Sequence, residues 1–358
     1  MPPQTPPAPA NESRAAEPRI TRRTIYILIV VALLILISGV VFALQMLQVT
    51  AAKDDETVKN VLIVRNPPAL DIVWIAAHDE MNTLGHEDER GIHYVITEVA
   101  ESAPATKERI RTLLNEQDID LIMSIGILAT RSAKEVTAEL GRDTPIVFAV
   151  VSDPVGAGLV ASVSSSDNNL TGITPSNELV ASKRLEFLRE MLPSTMRIIY
   201  AWNDVNTSGI DGLRRVAPSL EFELLEQQVA TRDEMNAFID SFEFKKGDAL
   251  LRASDSIGAG SLPHAIEAAI AKKVPLVGTN SIDTERGALM SYGADYAEIG
   301  KLAARMMISV LSGTLPARIP IEEASVFDVS VNTETAGKIG VVVPQTFLLK
   351  VGRIYPAQ

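Results

Sequence analysis

The sequence predicts an α/β protein built from two similar doubly wound units in tandem, preceded by one N-terminal transmembrane helix. Three observations carry this reading. From Val58 onward, short β-branched runs alternate with amphipathic helical stretches, the pattern that gives parallel sheets covered on both faces. The same order of elements begins a second time near Glu178. Before them, an uncharged run from Thr24 to Leu44 is long enough to cross a bilayer, because a helix rises about 1.5 Å per residue and the hydrocarbon core is about 30 Å thick.

Arg14, Arg19, Arg22 and Arg23 precede that run, and Lys53, Asp54, Asp55 and Glu56 follow it. This bias keeps the N-terminus cytoplasmic and leaves the chain beyond about Ala51 extracytoplasmic. Residues 1–23 read as a disordered cytoplasmic tail, rich in Pro and Ala as far as Pro18, and residues 24–47 as the membrane anchor. A cleaved signal peptide is the alternative. Val49-Thr50-Ala51 before Ala52 offers small residues at a cleavage point, although signal peptides hold apolar stretches of only about 7 to 15 residues. With no cysteine in the chain, disulfides and thiol-linked lipid anchors are excluded. Arg14, Arg19, Arg22 and Arg23 against Glu12 and Glu17 make residues 1–23 net +2, so the whole-chain charge of -12 leaves -14 for the rest. An acidic body excludes nucleic acid as a partner, which requires clustered positive charge.

The elements follow in order. Val58–Val64 is expected as a strand, Ala69–Leu84 as a helix, His93–Glu98 as a strand, Thr106–Asn115 as a helix, Leu121–Ser124 as a strand, Ala129–Leu140 as a helix and Ile146–Val150 as a strand. Ser162–Pro175, rich in Ser, Asn, Asp and Gly, suits a connection between lobes. The second series runs Glu178–Leu192 helical, Arg197–Trp202 strand, Thr207–Val216 helical, Glu221–Val229 strand, Arg232–Ser241 helical, Ala249–Ala253 strand, Leu262–Lys272 helical and Pro275–Gly278 strand. Tyr296–Leu311 is a further helix, with Ile299, Leu302, Ala303, Met306 and Val310 on one stripe and Gly313 and Pro316 as its stop.

Open parallel sheets bind ligands at the carboxyl ends of their strands. There the chain carries Arg65-Asn66-Pro67-Pro68, Ser124-Ile125-Gly126, Ser152-Asp153-Pro154, Asn203-Asp204, Ser254-Asp255-Ser256 and Thr279-Asn280-Ser281. The candidate ligand set is Asn66, Ser124, Gly126, Leu128, Ser152, Asp153, Trp202, Asn206, Asp255, Asn280 and Ser281. Backbone amides at helix starts would take an anion and the carboxylates a cation, which suits a zwitterion such as an amino acid. Each of these residues also has a structural job available, since Ser, Asp and Asn after strands cap helices and shape turns.

Little in the chain points to catalysis. There is no Cys and no G-x-S-x-G elbow, and Gly258-Ala259-Gly260 lacks the third glycine of a dinucleotide fingerprint, where Pro263 stands. His78, His86 and His93, with Glu87, Asp88 and Glu89 among them, match no metal-ligand spacing and read as a solvated helix end. Asn169-Leu170-Thr171 fits a glycosylation acceptor, a pattern short enough to recur by chance. No cofactor, no metal and no enzymatic activity are expected.

Local wording resembles the type I periplasmic binding proteins of the ABC-transporter substrate-binding group that includes tryptophan and tyrosine binders. It lies in Pro68-Ala69-Leu70-Asp71; Ile125-Gly126 with Ala129; Thr144-Pro145-Ile146-Val147-Phe148 and then Asp153-Pro154-Val155-Gly156-Ala157-Gly158-Leu159-Val160; Asn169-Leu170-Thr171-Gly172; Lys183-Arg184-Leu185-Glu186; and Gly287-Ala288-Leu289-Met290-Ser291-Tyr292-Gly293 before Asp295-Tyr296. The resemblance implies two Rossmann-like lobes with crossings near Gly172, Asp295 and Glu323. Residues 58–171 with 295–322 would form one lobe and 172–294 with 323–358 the other. It also implies a monomeric binder of a small molecule, an aromatic amino acid in the family's pattern, that serves an ABC permease in the same membrane. A ligand-sensing module signalling to a membrane partner is the alternative. The chain departs from the family pattern at Pro67, at Ile127 where relatives carry Thr, and at Ala201-Trp202 where Asn-Pro is common. Trp202 or Tyr292 would be the ring platform, and a less polar ligand stays open.

Overall fold

The computed structural model describes residues 33–42, 58–65, 70–88, 91–100, 102–175, 177–203 and 209–356. Residues 1–57 and 58–358 form separate compact units, and both sheets belong to the second. Of the expected membrane span, only helix α1 over residues 33–42 is described, with Leu33, Leu34, Ile35, Leu36 and Phe42 exposed. At about 1.5 Å per residue this stretch covers about half of a hydrocarbon core. Among the described residues no helix is long and apolar enough to cross a membrane, so the structure does not support the expected transmembrane helix. The remainder of 24–47, the tail 1–23 and the cleavage point at Ala51 lie outside the described residues.

The first sheet is built from β1 (Lys59–Arg65), α2 (Asp71–Thr83), β2 (Ile92–Glu98), α3 (Ala103–Glu116), β3 (Leu121–Ile125), α4 (Ile127–Glu139), β4 (Ile146–Ala149) and β5 (Leu170–Thr174). The chain then builds the second sheet. It runs through α5 (Asn177–Met191), β6 (Arg197–Trp202), α6 (Ile210–Val216), β7 (Glu223–Gln228), α7 (Arg232–Ser241), β8 (Asp248–Leu251), α8 (Ser256–Gly260), α9 (Leu262–Lys272), β9 (Leu276–Gly278), α10 (Ser281–Arg286) and β10 (Met290–Ala294). It returns to the first sheet with α11 (Tyr296–Leu311) and β11 (Glu322–Glu323). It ends on the second with β12 (Phe327–Asn332), α12 (Thr333–Ile339), α13 (Gln345–Leu348) and β13 (Arg353–Tyr355).

Strand order is β2-β1-β3-β4-β5-β11 in one sheet and β7-β6-β8-β9-β10-β12-β13 in the other. Neighbours are parallel except β10 and β12. Both sheets therefore reverse direction of build at their first strand, β1 between β2 and β3 and β6 between β7 and β8, which is where open α/β sheets offer a crevice. Helices on both faces explain why β3 and β4 are buried at every residue and read as continuous apolar runs. α11 is the expected amphipathic helix, capped by Asp295, whose Oδ1 accepts from the Ala297 amide at 2.8 Å. Ile299, Ala303, Met306, Met307 and Val310 bury its stripe against α2 and the first sheet, in one core with Val73, Ala77 and Met81.

Ser162–Pro175 is not wholly a connection, because its last part is strand β5, inserted between β4 and β11. Gly172 sits inside that strand, and the chain leaves the first sheet only after Thr174. A Cβ on Gly172 would stand 2.2 Å from the Phe148 carbonyl oxygen, so the glycine that reads as a loop signal is what lets β5 close on β4.

Candidate ligand site between the two sheets

A cavity of about 440 Å³ opens between the sheets at the carboxyl ends of their strands, within the usual size range for small-molecule sites. One wall comes from the β3–α4 turn and the segment after β4, with Gly126, Ile127, Leu128, Ser152 and Asp153. The opposite wall comes from the residues after β8 and β9, with Arg252, Ser254, Asp255, Thr279, Asn280 and Asp283, and Tyr296 closes one side.

On the first wall α4 starts abruptly. Gly126, at φ +88°, turns the chain out of β3, and no side chain caps the helix. The first amides of α4 consequently meet the cavity at the positive end of the helix dipole. Asp153 is exposed, and its Oδ1 accepts from the Gly156 amide at 2.7 Å. Ser152 is half-buried, and its carbonyl accepts from Thr174 Oγ1 at 3.0 Å.

The second wall is a connected polar network. Asp255 caps α8 through Oδ1 to the Gly258 amide at 2.6 Å, and its Oδ2 accepts from the Asn203 amide at 3.4 Å. Asn280 caps α10 and donates through Nδ2 to Thr279 Oγ1 at 3.1 Å and to the Tyr296 hydroxyl at 3.3 Å. Asp283 Oδ2 accepts from the Thr279 amide at 2.7 Å and from Thr279 Oγ1 at 3.0 Å. Arg252 Nη1 lies 3.3 Å from the same oxygen and donates to Thr279 Oγ1. Behind it, Arg184 is buried, donating to the carbonyls of Tyr292 at 3.1 Å and Thr279 at 3.2 Å. Desolvation lowers its pKa to about 10, which still leaves a cation at neutral pH. Burial raises the Tyr296 pKa, so the ring presents a neutral phenol.

Of the residues expected from sequence, Gly126, Leu128, Ser152, Asp153, Asp255 and Asn280 line this cavity. Three do not. Ser124 is fully buried, with Oγ 2.9 Å from Thr130 Oγ1, where it ties β3 to α4. Trp202 packs against the core of the second sheet, with the Arg214 guanidinium 5.5 Å from its ring centroid. Ser281 is buried as the first residue of α10 and stands outside the lining. Tyr292 is likewise no platform, because its ring lies between Phe187 and Phe327, at centroid distances of 5.0 and 6.0 Å. Asn66 and Asn206 lie outside the described residues. Sequence reasoning missed Arg252, Asp283, Arg286 and Tyr296. The available signal was the arginine in Ala249-Leu250-Leu251-Arg252-Ala253, a charge at the end of an otherwise apolar strand.

The chain matches the family described as ABC transporter substrate binding protein over residues 60–354, nearly the whole of both sheets. It belongs to that family. The tyrosine-binding protein of Clostridioides difficile (strain R20291) is 27% identical over 271 residues, spanning 75% of this chain and 76% of the relative. An ABC domain from Streptococcus pneumonia, solved in complex with L-Trp, shares the fold at a TM-score of 0.74 and 19% identity, covering 83% of this chain and 100% of that one. A conserved domain protein from Vibrio cholerae superposes at a TM-score of 0.72 with 22% identity, covering 83% and 99% of the two chains. The ligand-free, open structure of a substrate binding protein with adhesive properties from Clostridium difficile gives 0.64 and 24%, covering 82% and 98%. The two-lobe periplasmic binding protein fold and the resemblance to tryptophan and tyrosine binders both stand on these matches.

Proposed function

We propose that this substrate binding protein holds an amino acid between its two sheets and, as a monomer anchored outside the membrane by residues 24–47, presents it to an ABC permease. The observation that carries the ligand reading is the cavity itself. It sets an uncapped helix start on one wall and places the carboxylates of Asp153 and Asp255 on its lining, the two complements of a zwitterion. The similarity to a tyrosine-binding protein and to a structure solved in complex with L-Trp supports an amino acid. Ile127 brings no side-chain donor to the start of α4, which would meet a carboxylate with backbone amides alone. The anchor rests on the uncharged run Thr24–Leu44 and the arginines before it. The protein performs no chemistry; binding favours the lobe arrangement in which both walls touch the ligand.

The test is thermal and denaturant unfolding of the purified full-length chain against amino acids, nucleosides, sugars and organic acids. A ligand at 100 times its Kd adds about 2.7 kcal/mol to folding stability. Stabilisation by amino acids, weakened in Asp153→Ala and Asp255→Ala, is the expected outcome. Stabilisation only by another class overturns the ligand and keeps the fold. Asp153→Ala should leave the unliganded stability nearly unchanged, whereas Asp255→Ala also removes a helix cap at a cost of about 1 kcal/mol.

A further inference from the structure

We infer that the second wall of the cavity selects an amino acid bearing a carboxylate on its side chain, held by Arg252 with Arg286 at the mouth. This rests on the amino-acid reading above and names the class within it.

The argument begins with an unmet guanidinium. The Arg252 side chain is nine-tenths buried and lines the cavity. Its Nη1 is engaged by Asp283 and Thr279, but the enclosed Nε has no hydrogen-bond partner and Nη2 donates to no described residue. A buried donor left unpaired costs about 1–3 kcal/mol, and more where the group is charged. Among the described residues of this wall, none supplies the missing acceptor. Arg184 and Arg252 are two buried cations facing one buried carboxylate, Asp283, whose own oxygen is already shared with Thr279. The phenols of Tyr200 and Tyr296 are neutral, because burial raises both pKa values. Asp255 turns its two oxygens to the Gly258 and Asn203 amides. Arg286, the last residue of α10, is exposed on the same wall and forms no ion pair with a described residue.

On the amino-acid reading, the first wall takes the α-carboxylate at the start of α4, while Asp153 on that wall and Asp255 on the second take the ammonium group. A second carboxylate reaching across the cavity would meet the planar edge of Arg252, the group suited to bidentate carboxylate binding. It would also complete a cluster that burial otherwise leaves short of negative charge.

The deciding experiment is calorimetric titration of the full-length protein with matched pairs that share a skeleton: L-glutamate and L-glutamine, and 4-carboxy-L-phenylalanine and L-phenylalanine. At least one acid is expected to bind about tenfold more tightly than its neutral partner, by charge-assisted hydrogen bonds. Arg252→Gln should bring that ratio near one, by weakening the acid far more than its neutral partner. Arg252→Lys, which keeps a cation opposite Asp283, should reduce the ratio, and Arg286→Gln should reduce it less. Neutral partners binding as tightly as their acids would overturn this inference and leave the amino-acid reading in place, as would a ratio unchanged in all three variants. Binding of no member of either pair would overturn this inference, and the amino-acid reading then stands or falls on the unfolding test against the wider panel. Should Arg252→Gln fail to fold, Arg252→Lys and Arg286→Gln decide the question.

Discussion

Asp283 does more for the second wall than any single ligand candidate. It accepts from the Thr279 amide and hydroxyl and is the carboxylate set among the guanidiniums of Arg184 and Arg252. Asp283→Asn would leave two buried cations uncompensated, at an expected loss of about 3 kcal/mol in stability. Denaturant unfolding checks this, and a loss below about 1 kcal/mol would show that water or rearrangement already shields those charges. Asp255 and Asn280 were legible as site residues because each follows a strand end, and each proves to be a helix cap as well as part of the cavity lining. Arg252 was hidden because it reads as the continuation of a strand, and its importance lies in neighbours from β9 and α10 that sequence order does not place beside it. Trp202 was misplaced for the converse reason. A sequence marks an aromatic at a strand end but does not say toward which side its ring turns, and here Arg214 and the second core take it.

Elements with a strong period were legible within a few residues. β6 and α11 match their expected bounds because a continuous apolar run or a 3.6-residue stripe must be buried, and the burial fixes the element. β5 was missed because Gly172 and its polar surroundings carry turn signals, while the requirement it answers, close approach to Phe148 on β4, is a tertiary one. Gly172→Val should therefore be severely destabilising, since its Cβ would meet a backbone oxygen that no rotamer change can move. Chemical unfolding should show a fall of about 2–4 kcal/mol or loss of folding, the range of core disruption. Short α8 and α10 were also unread, because five or six residues leave too little pattern to see and their caps hold them in place.

Across the whole second unit, the two sheets share one chain that passes from one to the other after β5, between β10 and α11, and after β11. On the proposed function, ligand binding draws the two walls together across this joint. The chain has no cysteine, so Glu108→Cys on α3 and Glu267→Cys on α9, both exposed, report lobe separation after fluorescent labelling. Ligand should shift the energy transfer between them, and saturation of the site with no change in transfer would sink the closure mechanism. By itself the sequence determined the alternating α/β class, the repeat of one doubly wound unit after another, the acidic body and several of the strand ends that line the cavity. Those properties are local or additive, since periodicity, propensity and charge survive without knowing what packs on what. Only the tertiary structure decided that β5 belongs to the first sheet, that Trp202 and Tyr292 face the core, and that Arg184, Arg252 and Asp283 converge on one wall. The last of these depends on residues about 30 to 100 positions apart meeting in space, where burial changes the worth of a charge and a sequence has no coordinate to show it.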